Sequence, residues 1–177
     1  MAQSSQQPAA FAFSAESAKV VHLVRHGQGT HNVEAALHGA AAYAMASLQD
    51  ARLDETGRAQ ARALGVRLRE ARIHVDVALV SPLSRTIETA CLMFPDGCGV
   101  PLVAVEMCRE AHGGHPCDQR RPISAIRHEF PRVDYSLVET DDDVRTLCAC
   151  ALARARACVC ACVRVHLRWW WWRWWGG

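Results

Sequence analysis

Arg25 and His26 stand side by side at the end of an apolar run, directly before Gly27, in the stretch VVHLVRHGQGTHN over residues 20–32. A further arginine, Arg85, follows another apolar run within SPLSRTIETA, residues 81–90. Guanidinium groups gathered around an imidazole repel one another unless an anion sits among them. Phosphate is such an anion: arginine matches it bidentately, and a neutral imidazole can attack phosphorus in line. Phosphoryl transfer asks a protein mostly for positioning and charge stabilisation, and this set offers both. Taken separately, Arg25-His26 also reads as a solvated strand end. SPLSRTIETA likewise reads as an ordinary capped helix start with Thr86 and Thr89 facing solvent. The two stretches together favour a phosphate site.

Whether these residues can meet depends on the elements that carry them. Residues 20–24 read as a short buried strand ended by glycine, 75–80 as a second strand stopped by Ser81-Pro82, and 103–105 as a third. Asp54, Glu55 and Thr56 supply capping and acidic residues before a helix over 57–72. In that helix Ala61, Leu64, Leu68 and Ala71 share one face and arginines occupy the other. Further helices are expected over 84–94 and, after Pro122, over 123–130. Strands alternating with helices predict an α/β sheet with parallel neighbours. Ligands in such sheets bind beyond the carboxyl ends of the strands. If the first two strands are neighbours, Arg25, His26 and Arg85 converge on one crevice.

The stretches LVRHGQGTHN, LDETGRAQA (53–61) and SPLSRTIETA resemble three successive signatures of the histidine phosphatase superfamily, whose fold is phosphoglycerate mutase-like. EMCREAHGGHPCDQRRPISAIRHEFPRVDYSL, from Glu106, resembles the phosphoglycerate mutase-like proteins of plants and fungi. The resemblance runs from Val20 to about Val144. It implies a three-layer α/β/α fold around a mainly parallel sheet, incomplete after Val144. It also implies His26 as a nucleophile forming a phosphohistidine, Arg25, Arg85 and Asn32 as phosphate-binding residues, and Glu110 as the general acid. A carboxyl beside anionic phosphate has a raised proton affinity, which suits that last role. Glu106 is the alternative acid, and either glutamate could instead be a surface or salt-bridged residue. Gln28-Gly29 and His31 stand where the mutase branch has Glu-Ser and tryptophan, so hydrolysis of a phosphomonoester is favoured over mutase action.

The resemblance also exposes a gap. The family pocket has a second histidine, in a His-Gly or His-Ser pair after a later strand. His112, His115 and His128 lie too early, and His166 is the only later histidine. Losing one such donor costs on the order of 10²–10³ in turnover. The competing reading is therefore an inactive fragment or a phosphate-binding pseudoenzyme. Cys108, His112, His115 and Cys117 could be read as a zinc site, but their spacing is too tight for an easy tetrahedron. The expected chemistry uses no metal and no cofactor.

The length of 177 residues fits one domain, and the resemblance implies a small phosphorylated substrate. A net charge of +2 with 21% charged residues gives no reason to expect nucleic acid or an anionic membrane as partner. Residues 1–18 are rich in Ser, Gln and Ala without the features of a secretory or transit signal, and read as a disordered lead-in to a cytoplasmic domain over 19–145. The nine cysteines are accordingly expected as thiols. Residues 146–177 hold Cys/Arg/Ala repeats and all six tryptophans, with no helical or strand period. Such a tail can be written as alternating purine–pyrimidine codons followed by repeated TGG. The expectation is a translated intron or shifted frame that does not belong to the fold. Soft-metal binding by Cys-x-Cys pairs and membrane contact by the Arg/Trp cluster are the alternatives.

Overall fold

The computed structural model describes residues 19–109, 115–143 and the backbone of 165–167. The chain divides into two units, one of Met1–Val24 with Cys148–Gly177 and the other of Arg25–Leu147.

In the first unit, β1 (Lys19–Val21) pairs in parallel with β4 (Val165–Leu167). β1 is shorter than the expected 20–24 strand, and it is not buried: Val20 is 67% exposed and Leu23 64%. An apolar run records what a strand is able to bury. Burial itself needs strands beside it and helices above and below, and the described residues supply one three-residue partner strand. That partner lies in the tail, whose lack of period predicted no strand. Its ladder is made by backbone groups, which pair without needing an alternating side-chain pattern.

The second unit contains β2 (Ala78–Val80) paired in parallel with β3 (Leu102–Ala104). Asp134 extends this ladder by accepting from Ala104 N–H at 2.8 Å and donating to Leu102 at 2.8 Å. The helices are α1 (Thr30–His38), α2 (Glu55–Glu70), α3 (Ser84–Met93) and α4 (Ile123–Glu129). Three of them fall where the sequence pattern placed them, within a residue or two at each end. α1 was not anticipated, because its THNVEAALH is short and its first turn is occupied by motif residues. Ile87 and Ala90 from α3, Ile123 and Ile126 from α4, and Val80, Leu102 and Ala104 from the strands form the core with Val133 and Tyr135. Leu79, on the strand between Ala78 and Val80, is 61% exposed, so this core covers one face of the β2–β3 pair. Among the described residues no helix is long and apolar enough to cross a membrane.

α2 buries Gly57, Ala61 and Gly65, while Ala71 lies beyond its end and is exposed. Small residues bring α2 close to α3: a side chain at Gly65 would meet Met93 backbone atoms at 2.9 Å. At the other end, a Cβ on Gly57 would lie 2.7 Å from Gln28 N, and one on Gly27 2.9 Å from Gly57 Cα. The glycines of RHG and DETG are thus each other's packing surface. Gly57→Ala is expected to destabilise the protein by about 1–3 kcal/mol, because rigid backbone has to retreat from the added methyl. Urea unfolding measures this, and an unchanged midpoint would show that the two loops are not in close contact in solution.

Candidate active site

The loop that follows β1 is held by hydrogen bonds. Gly27 N–H donates to Thr89 Oγ1 at 3.2 Å, and Thr89 Oγ1 donates to the Arg85 carbonyl at 2.7 Å. Gln28 Nε2 donates to Asp54 Oδ2 at 2.6 Å, while Asp54 Oδ1 caps α2 by accepting from Gly57 N–H at 2.7 Å. Asp54 N–H and Thr30 N–H return bonds to the Gln28 and Arg52 carbonyls at 3.0 and 2.9 Å. One carboxylate therefore starts the helix and pins the loop, so the DETG stretch acts as a clamp on RHG. Thr89 is buried rather than solvent-facing, because its hydroxyl joins α3 to Gly27.

Arg25, His26, His31, Asn32, Tyr43, His115, Cys117 and Asp118 line a cavity of about 180 Å³. Three of the sequence-predicted residues thus meet there: Arg25, His26 and Asn32. Among the described residues β1 pairs with β4 and β2 with β3, and this convergence lies within the second unit. It arises from the clamped loop and the start of α1. His26 Nδ1 lies 2.6 Å from the Gly27 carbonyl. A carbonyl only accepts, so Nδ1 carries the proton and Nε2 keeps a lone pair. Asn32 Oδ1 accepts from Gly29 N–H at 3.0 Å, closing the first turn of α1. Its NH₂ group carries that side chain's donors.

Arg85 sits in the first turn of α3 with its side chain fully buried. Nη1 donates to the Cys117 carbonyl at 2.6 Å and Nη2 to Asp118 Oδ1 at 3.0 Å. Its guanidinium is therefore fixed by the 117–118 segment, which itself lines the cavity. The helix that carries Arg85 has no side-chain cap of its own. Asp50, buried and in a left-handed backbone conformation (φ 46°), supplies one from a distance by accepting from Ser84 N–H at 2.8 Å. Arg121 Nε completes Asp50 at 3.0 Å. Aspartate tolerates that conformation better than most residues. The sequence offered no sign of these partners, because Asp50 and Ser84 are far apart along the chain.

Glu110 lies outside the described residues, as does His112 of the zinc alternative. Glu106 is committed elsewhere: Oε1 accepts from Arg120 Nε at 2.5 Å and Oε2 from Arg109 Nη1 at 3.1 Å. That is the salt-bridged reading. Arg109 also binds Asp143 and the Asp118 carbonyl, tying the far side of the cavity wall down. Cys91, Cys98, Cys108 and Cys117 are free thiols, and burial pushes the Cys117 thiol up.

His31, a residue that sequence reasoning used only to separate mutase from phosphatase, is 5% exposed. Its ring centroid lies 5.5 Å from that of His26 and 6.2 Å from Tyr43, and Tyr43 lies 5.5 Å from His115. Burial lowers its pKa to about 4, aided by the positive charge of Arg85, by His26 and by Arg25, and opposed by Asp118. The unfolded chain, with an ordinary histidine, binds a proton near pH 6.5 that the folded site refuses. Stability attributable to His31 is therefore full above pH 6.5 and is lost as pH falls towards 4. Between pH 7 and 5 this amounts to about 2 kcal/mol. Urea unfolding of wild type and His31→Gln at both values checks it: the variant should show a pH sensitivity smaller by that amount.

Comparison with known proteins places these features in context. The model of the histidine phosphatase superfamily (branch 1) matches residues 21–165. A phosphoglycerate mutase-like protein of Arabidopsis thaliana is 37% identical over 155 residues, covering 71% of this chain and 57% of that protein. Phosphoglycerate mutase-like protein 1 of the same plant is 35% identical over 154 residues, covering 71% and 54%. The chain thus spans about half the length of the curated relatives it matches. Among solved structures, the ecdysone phosphate phosphatase of Bombix mori in complex with tungstate aligns with a TM-score of 0.45 and 22% identity, covering 66% of this chain and 49% of that one.

Proposed function

From the premise that this chain belongs to the histidine phosphatase superfamily (branch 1), we propose that it hydrolyses a small phosphomonoester through a phosphohistidine at His26. The observation that carries this is the 2.6 Å bond from His26 Nδ1 to the Gly27 carbonyl, in a cavity shared with Arg25. In the neutral ring this bond puts the proton on Nδ1 and the nucleophilic lone pair on Nε2. In the first step Nε2 bonds to phosphorus as the bond from phosphorus to the ester oxygen breaks. The departing alkoxide takes a proton from Glu110, the acid that the family motif implies. Water then attacks phosphorus as the bond from Nε2 to phosphorus breaks, one of its protons passes to the Glu110 carboxylate, and inorganic phosphate is released. Arg25 offsets the charge on the phosphoryl oxygens, and the Asn32 amide donates to one of them. Arg85 adds its positive charge from outside the cavity lining, while Cys117 and Asp118 hold it.

A second reading, phosphate binding without turnover, is favoured by Asp118. Its carboxylate lines the same cavity and holds Arg85, which reduces the positive charge offered to the ligand. Rapid acid-free quenching after mixing with a ³²P-labelled aryl phosphomonoester separates the two. Acid-labile, base-stable label on His26 supports the hydrolase. Phosphate binding with no label on any histidine replaces it by the second reading.

A further inference from the structure

The imidazole of His31 is the least explained polar group around the cavity. It is 5% exposed, it lines the cavity beside Arg25 and His26, and its Nδ1 is buried with no hydrogen-bond partner among the described residues. The contacts of its ring are with the rings of His26 and Tyr43. Buried polar atoms in folded proteins almost always have partners. Nδ1, packed against Gly29, has none, so this imidazole is not held in the cavity wall by a bond at that nitrogen and its Nε2 is the nitrogen left for something that enters. Gly29 makes room for this ring: a side chain there would meet His31 Cε1 and Nδ1 at 2.5 and 2.6 Å. A glycine at the helix start thus lets the imidazole lie against the backbone, inside the wall of the cavity.

We propose that His31 is a ligand-contacting residue of the phosphoryl site, donating an imidazole N–H to an oxygen of the bound phosphate group. The inference rests on the phosphomonoester reading and adds a residue to it. The charges around the ring set the direction of the bond. Burial, aided by the charges of Arg85, His26 and Arg25 and opposed by Asp118, disfavours another cation here, so the ring is neutral at pH 7, with one N–H and one lone pair. An incoming phosphate oxygen only accepts, so it selects the tautomer that points the N–H at it. The His26 and His31 rings stand 5.5 Å apart and tilted by 52°, near enough for one phosphate group to reach both. A dianion also raises the proton affinity of any imidazole it touches, so His31 should bind a proton more readily with phosphate present than without it.

The test uses the full 177-residue chain and inorganic phosphate as the probe, with calorimetry for affinity and ¹⁵N-histidine spectra for the ring. Wild type should bind phosphate with a clear change in the His31 ring nitrogen shifts. His31→Phe should weaken binding by about 10- to 100-fold, the scale of one hydrogen bond to a charged group. His31→Gln, which retains an N–H donor, should restore part of that loss, and near-ultraviolet circular dichroism identifies any variant that fails to fold. Unchanged phosphate affinity in folded His31→Phe overturns the inference while leaving the phosphate site intact, as does binding that leaves the His31 nitrogens unmoved. Absence of phosphate binding in wild type overturns both this inference and the reading beneath it, and His31→Phe data are then not needed to tell the cases apart.

Discussion

Replacing His26 with alanine is expected to lower phosphomonoester turnover by on the order of 10⁴–10⁶-fold, the loss seen when a covalent nucleophile is removed. The reason is specific to the bond geometry. Nδ1 is held by the carbonyl of Gly27, the next residue, which favours the neutral tautomer with the proton on Nδ1 and the lone pair on Nε2. Gly27 in turn is fixed through Thr89 and by its close approach to Gly57. Two other lining residues are less suited to attack phosphorus. His31 is tucked against Gly29, and Cys117 is a buried thiol whose proton is held more tightly than usual. Stability should change little, by less than about 1 kcal/mol, because the ring is only half-buried. The decisive measurement is turnover of His26→Ala with and without added imidazole. A free imidazole can occupy the vacated space and recover part of the rate. Turnover at the wild-type level in the variant would mean that phosphorus is attacked by something other than His26.

The largest loss of stability is expected from Asp118→Ala, at about 3–5 kcal/mol. Arg85 is fully buried and Asp118 nearly so, with side-chain exposures of 0% and 11%. Removing the carboxylate leaves a guanidinium far from water without that counter-charge, and the penalty for such a charge exceeds the net worth of the pair itself. Two further variants separate charge from packing. Arg85→Met takes the cation away along with its need for a partner, and should be more stable than Asp118→Ala despite removing the larger group. Asp118→Asn keeps an acceptor for Nη2 and should fall between wild type and alanine. The three also bear on function. Asparagine at 118 makes the cavity more positive, so Asp118→Asn should bind inorganic phosphate more tightly than wild type, whereas Arg85→Met should bind it more weakly. Denaturant titration with calorimetric phosphate binding gives both orders. If Asp118→Asn binds phosphate no better, Asp118 does not temper the anion site.

How much of this was legible beforehand differs from residue to residue. The helices over 57–72, 84–94 and 123–130 were visible because an apolar face at helical spacing, together with caps such as Asp54, is local information. The motif residues Arg25, His26 and Asn32 were legible for the same reason, lying in one short loop and the first turn of one helix. β1 was misjudged in length and burial, since burial depends on neighbours and not on the apolar run that invites them. The partners of Arg85 were not legible. Asp118 and the Cys117 carbonyl are its anchors across 33 and 32 residues of chain, and no spacing rule connects them.

The sequence by itself therefore determined the chemistry on offer: an imidazole, arginines and an asparagine in motifs short enough for covalent connectivity to keep them together. Only the tertiary structure decided how those groups are held. Which carboxylate holds Arg85, what caps α3, and what pins Gly27 all follow from contacts between distant segments. Such contacts are fixed by packing and by the need to pair buried charge, and those forces act on the folded arrangement rather than on neighbours along the chain.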